Sequence, residues 1–134
     1  MNNLEIIKNL YKAFECGDIS TILEILDTEV EWIESEGIPY GGVFIGHEAV
    51  LQGVFEKIAA EWDNFQAITE EFIDAGDTII TLGFDRGTYK ATGKTMQAAT
   101  ASFWTLKAGK VIKFRQYIDT LKVVSAIREL DEPR

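Results

Sequence analysis

Leu4, Ile7, Tyr11 and Phe14 recur at three- and four-residue spacing, which predicts an amphipathic helix over residues 3 to 16 that stops at Gly17. Asp18 is placed to cap a second helix with Ile19, Ile22, Leu23 and Leu26 on its apolar face. The period then falls to two in "TEVEWIE", where Val30, Trp32 and Glu34 share one face of a strand and Glu31, Ile33 and Ser35 the other. After a glycine-rich loop, Leu51, Phe55, Ile58 and Trp62 mark a third helix over residues 47 to 62, with His47 facing solvent in its first turn.

From residue 66 onward the pattern is strand-like. The stretch "QAITEEFIDAGDTIITLGFDRGTY" holds two runs joined by "AGD", and "KTMQAATASFWTL" and "KVIKFRQYID" are joined by "KAGK", so an antiparallel meander is expected. Leu121, Val124, Ile127 and Leu130 predict a short closing helix, with Asp119 as its cap. Helices gathered at one end and strands at the other give an α+β class rather than a βαβ fold. No second composition regime interrupts the 134 residues, which are expected to form one domain, 1–134.

Alternation assigns the strand faces. In the last strand Ile112, Phe114, Gln116 and Ile118 are expected on the covered side, opposite Lys113, Arg115, Tyr117 and Asp119. Gln97, Ala99, Ala101 and Phe103 are expected to share that side, as are Ile80, Leu82 and Phe84, with Arg86 at the end of their row. The candidate pocket is therefore Phe14, Trp32, Glu34, Tyr40, Phe84, Arg86, Gln97, Phe103, Phe114 and Gln116. Apolar walls with a few convergent polar groups suit a small-molecule site. Desolvation would raise the pKa of Glu34 and fit it to shuttle a proton, while Arg86, as a polar anchor, would oppose that shift. The alternative is that Glu34 and Arg86 sit at strand ends and reach water as an exposed ion pair.

A content of 46% hydrophobic residues, with 3 Trp, 4 Tyr and 8 Phe, is enough to build a core that also encloses a cavity. The net charge of −9 argues against binding nucleic acid or an anionic membrane. Residues 1–85 carry three basic and eighteen acidic side chains, and residues 86–118 carry seven basic and no acidic ones, a division expected to form two charge-complementary layers. The single cysteine, Cys16, is expected to pack at a helix end, and one cysteine with one histidine leaves no donor set for zinc. No phosphate-binding or dinucleotide glycine motif occurs, so no cofactor is expected. The start "MNNLEIIKNL" has neither a basic leader nor a long apolar run, and a cytoplasmic location is expected.

The order of "LYKAFECGD", "VEWIESEGIPYGG", "GHEAVLQGVFEKIAAEW" and "GKVIKFRQYIDT" resembles the nuclear-transport-factor-2-like superfamily along essentially the whole chain. It is most similar to the SnoaL-like branch related to ketosteroid isomerase. The resemblance implies a cone-shaped, cystatin-like α+β fold in which a curved, mainly antiparallel sheet wraps around N-terminal helices. It also implies a homodimer through the outer sheet face, here carrying Lys113, Arg115 and Tyr117. Ketosteroid isomerase needs a carboxylate base, a tyrosine and a protonated aspartate. The resemblance places Trp32 at the base position, Leu10 at the tyrosine position with Tyr11 beside it, and Ala101 near the aspartate position.

With those groups replaced, what the resemblance implies is a pocket for a small hydrophobic carbonyl compound, of isomerase, cyclase or lyase type. Two alternatives stay open. One is a non-catalytic ligand-binding or dimeric module, and the other is an epoxide-hydrolase-like enzyme using Arg86 as its cation.

Overall fold

The computed structural model describes residues 1–128, so Leu130 of the expected closing helix lies outside the described residues. Helix α1 (Asn3–Cys16) begins where the Asn2 side chain accepts from the Glu5 N–H at 2.9 Å, and it ends at Gly17, whose φ of 69° only glycine adopts freely. Asp18 caps α2 (Ile19–Ile25) by accepting from the Thr21 N–H at 3.1 Å. Leu26 does not extend this helix: it opens β1 (Leu26–Glu34) and pairs with Val111. A short strand that the periodicity does not reveal, β2 (Gly42–Ile45), follows the loop.

The third helical segment is composite. It runs through α3 (Gly46–Val50), a π-helical turn (Leu51–Phe55) and α4 (Glu56–Glu61), and Trp62 already begins β3 (Trp62–Ala75). The meander continues through β4 (Thr78–Tyr89), β5 (Thr95–Lys107) and β6 (Lys110–Ile118), and α5 (Thr120–Ile127) closes it under the Asp119 cap. Two local expectations are corrected. His47 is half-buried with Nε2 2.7 Å from the Leu26 carbonyl, because the chain folds back over the start of β1, and Cys16 is exposed rather than packed.

The six strands form one open mixed sheet in the order β2-β1-β6-β5-β4-β3. Every neighbouring pair is antiparallel except β1 with β6, which run parallel. The main core lies between the helices and the inner sheet face. There Ile7, Leu10 and Ile22 meet Val30, Trp32, Ile79, Trp104 and Phe114. Several aromatic edges contact aromatic faces: Trp32 has its ring centroid 5.6 Å from that of Trp104 and 5.4 Å from that of Phe55, and Phe14 lies 5.7 Å from Phe55. A second cluster joins Ile38 and Tyr40 of the loop to Trp62, Met96, Ile118 and Val123.

The inner face of β4 and β5 is the reverse of the expected one. Ile79, Thr81 and Asp85 of β4 and Met96, Ala98, Ser102, Trp104 and Leu106 of β5 are buried. Ile80, Leu82, Phe84 and Arg86 therefore occupy the outer face, with Gln97, Ala99, Ala101 and Phe103 beside them. The register explains the inversion, since Ile79 pairs with Trp104 and Thr81 with Ser102, which fixes both strands in the phase of the large indole. In β6 the expected phase holds for Phe114, Gln116 and Ile118, but a bulge near Thr105 puts Val111, not Ile112, in the core.

Charge complementarity does not arise between packed layers either. The ion pair linking the two charge blocks among the described residues is Lys113 with Glu31, at 3.7 Å on exposed side chains.

Gly83 is required by close approach, because a methyl group there would run into the Ile68 carbonyl of β3 beside a second bulge. Gly83→Ala is expected to cost about 1–3 kcal/mol, the range for overpacking a tight site. A urea titration would show this as a lower midpoint with an unchanged slope.

Candidate functional site

Period-two alternation in β1 sends Val30, Trp32 and Glu34 to the inner face, where all three are buried. The parallel register sets Trp32 opposite Phe114, with ring centroids 3.9 Å apart. Glu34 is the last residue of β1, one same-face step beyond this stack and only 5% exposed. Asp85, two residues beyond the tight crossing at Gly83, comes to the same interior from β4 and is 6% exposed. Tyr40 descends from the loop between β1 and β2, where the Gly41 N–H closes a turn onto the Ile38 carbonyl at 2.9 Å.

These three groups sense one another electrostatically. Burial pushes the Glu34 carboxyl up to about 8, the charge of Asp85 adds to that shift, and the facing Trp32 indole opposes it without a well-formed hydrogen bond. Burial also pushes Asp85 up to about 7. The Tyr40 phenol is raised by burial first and then by the charges of Asp85, Glu34 and Glu61, so it stays protonated. Near neutral pH the site thus holds two carboxyl groups that keep their protons above the ordinary carboxylate range, together with a neutral phenol. Among the described residues, Trp32 Nε1, Glu34 Oε2, Tyr40 OH and Trp62 Nε1 are buried without a hydrogen-bond partner. Buried polar atoms are normally satisfied, so each of these four stands out against the core around it.

A second set of inner polar groups is self-satisfied. Tyr11 OH and Thr81 Oγ1 are 2.7 Å apart, and Trp104 Nε1 donates to both, at 3.2 and 3.3 Å. Burial raises the Tyr11 phenol, and the charge of Asp85 contributes least. Gln116 Nε2 donates to Ser102 Oγ at 3.3 Å.

The structure therefore brings together Phe14, Trp32, Glu34, Tyr40, Phe114 and Gln116 on the interior side. It separates Phe84, Arg86, Gln97 and Phe103 from them. Arg86 is exposed on the outer face and donates through Nε to Gln66 Oε1 at 2.7 Å, so it forms no pair with Glu34. Gln97 lines a surface cleft of about 560 Å³ with Lys122 and Ser125, and Phe103 lines an outer-face groove with Arg115 and Tyr117. Sequence reasoning missed Asp85. The signal was present in β5, where Met96, Ala98, Trp104 and Leu106 form the heavier apolar row. Phasing β4 against that row puts Asp85 inside.

A family model described as a SnoaL-like domain matches residues 7–114. The crystal structure of an NTF2-like protein from Burkholderia thailandensis E264 is 31% identical and superposes with a TM-score of 0.92, over 96% of this chain and 98% of that one. TerC, co-crystallized with polyporic acid, is 26% identical with a TM-score of 0.84, over 93% of this chain and 97% of that one. A putative SnoaL-like polyketide cyclase from Jannaschia sp. CCS1 is 18% identical and shares the fold, with a TM-score of 0.81 over 96% of this chain and 93% of that one. No curated protein matches the chain.

Both acids hold their protons more tightly in the folded chain than in the unfolded one. The stability they contribute is therefore fully present below the ordinary carboxylate range and is lost as pH rises through about 7 for Asp85 and about 8 for Glu34. Urea unfolding at acid and alkaline pH is expected to show a larger alkaline loss in the wild type than in the Glu34→Gln, Asp85→Asn double variant.

Proposed function

We propose that this chain, which belongs to the SnoaL-like domain family, binds a small, largely apolar carbonyl compound and moves a proton next to its carbonyl. The observation that carries the reading is the buried Glu34 and Asp85 pair with the unpartnered Trp32 Nε1, Glu34 Oε2 and Tyr40 OH beside it. Trp32 and Phe114 supply the apolar wall. That TerC was co-crystallized with polyporic acid supports a small organic ligand.

In the singly protonated pair, the carboxylate removes a proton from the carbon beside the carbonyl. The electron pair of that C–H bond moves toward the carbonyl oxygen, and the protonated partner, with Trp32 or Tyr40, donates a hydrogen bond to the developing oxyanion. In a β,γ-unsaturated compound, return of the proton to the γ-carbon of the dienolate shifts the double bond and isomerises it, and attack of an enolate on a second carbonyl closes a ring, the abstracted proton passing to the new alkoxide. The ligand is neutral on this reading. Arg86, Lys113 and Arg115 lie on the outer face, His47 is held by the Leu26 carbonyl, and none of them offsets the charge of the pair. The outer position of Arg86 also removes the cation that an epoxide-hydrolase-like site requires.

Solvent proton exchange into a panel of cyclic ketones is the measurement that tests this. The rate is expected to peak between about 7 and about 8, the two values of the pair, and to fall by about 10²–10⁴-fold in Glu34→Gln and in Asp85→Asn. Equal rates in the wild type and both variants would refute it. Ligand-induced stabilisation without exchange would leave a binding module.

We further propose that two copies associate through the outer sheet face. Ile80, Leu82, Phe84 and Phe103 lie there half-buried around Tyr117, which is 56% exposed, and this leaves a large apolar surface for a partner to cover. Light scattering at micromolar concentration is expected to give twice the 15.0 kDa chain mass, and Tyr117→Lys to shift it toward the monomer.

A further inference from the structure

We propose that Ser35 is the positioning residue of the acid site, fastening the end of β1 that carries Glu34 to β6 while its carbonyl packs against the loop that carries Tyr40. The assignment rests on the acid-pair reading of the site and deepens it. The β1 ladder to β6 is carried as far as the pairing of Ile33 with Arg115, and its ladder to β2 ends at Glu34 with Gly42. Glu34 is thus the last strand residue, where fraying would let water reach its carboxyl.

The Ser35 hydroxyl extends the attachment by one residue. It donates to the Gln116 carbonyl at 2.9 Å and accepts from the Ile118 N–H at 3.1 Å. Only a side chain that both donates and accepts can make this double link to one strand, and serine and threonine hydroxyls do both. Gln116 is itself held from within, by its amide on Ser102. The Ser35 carbonyl has the second task. It lies so close to Gly41, the neighbour of Tyr40, that any side chain there would collide with it, so the loop packs directly on Ser35. One residue therefore ties β1 to β6 and packs against the Tyr40 loop at the edge of the site.

The test is a carbon-13 NMR titration of the Glu34 side chain in the wild type, S35A, S35C and S35T, with circular dichroism as the check on folding. Water admitted at the end of β1 is expected to lower the Glu34 pKa in S35A by a unit or more, about a tenfold loss of proton affinity. The nearly isosteric S35C should lower it as well, and S35T, which restores the hydroxyl, should return it to the wild-type value. A raised Glu34 value left unchanged in S35A and S35C would overturn the role of Ser35 alone. A wild-type Glu34 titrating in the ordinary carboxylate range would instead remove the acid-pair reading, and this inference with it.

Discussion

Strand β1 runs parallel to β6 in a sheet whose other neighbours are antiparallel, and the site depends on that one pairing. It stacks Trp32 on Phe114, and Phe114 in turn lies 4.3 Å from Trp104, so the three rings form one wall across β1, β6 and β5. The same pairing delivers Glu34 at the exact point where the ladder gives out and a side-chain hydroxyl takes over. A slip of one residue would turn Trp32 and Glu34 to the outer face together, and the wall and the acid would be lost at once.

The cost of the arrangement falls on the ionised forms of two carboxyl groups. Among the described residues neither Glu34 nor Asp85 has a cation to compensate its charge, so each keeps its proton well above the ordinary carboxylate range. A buried neutral acid is far less costly than a buried charge, and the surrounding aromatic core contributes burial enough to tolerate it. Polar groups that would weaken an ordinary core are gathered inside, while Ile80, Leu82 and Phe84 are turned outward.

That inversion explains where the sequence misleads. Alternation tells which residues of a strand travel together, but the more apolar row need not face the core. In β4 the row Ile80, Leu82 and Phe84 outweighs Ile79, Thr81 and Asp85, yet pairing with the Trp104 row of β5 turns the second set inward. Reading β4 alone selects Arg86 as the site residue and overlooks Asp85. The four-residue β2 is too short for its period to register, and Trp62 satisfies a helical repeat as well as the first position of β3.

Local chemistry determined much of this protein from the sequence. The caps at Asp18 and Asp119, the stop at Gly17, both hairpin turns, the α+β class and the interior face of β1 follow from contacts a few residues apart, which the chain order encodes directly. The influence of Asp85 on Glu34, the burial of Tyr40 near both and the grip of Ser35 on β6 involve partners forty-five or more residues apart along the chain or set by the phase of a neighbouring strand. Only the tertiary structure decided them, because strand phase is fixed by cross-strand packing and a pKa by the burial that packing creates.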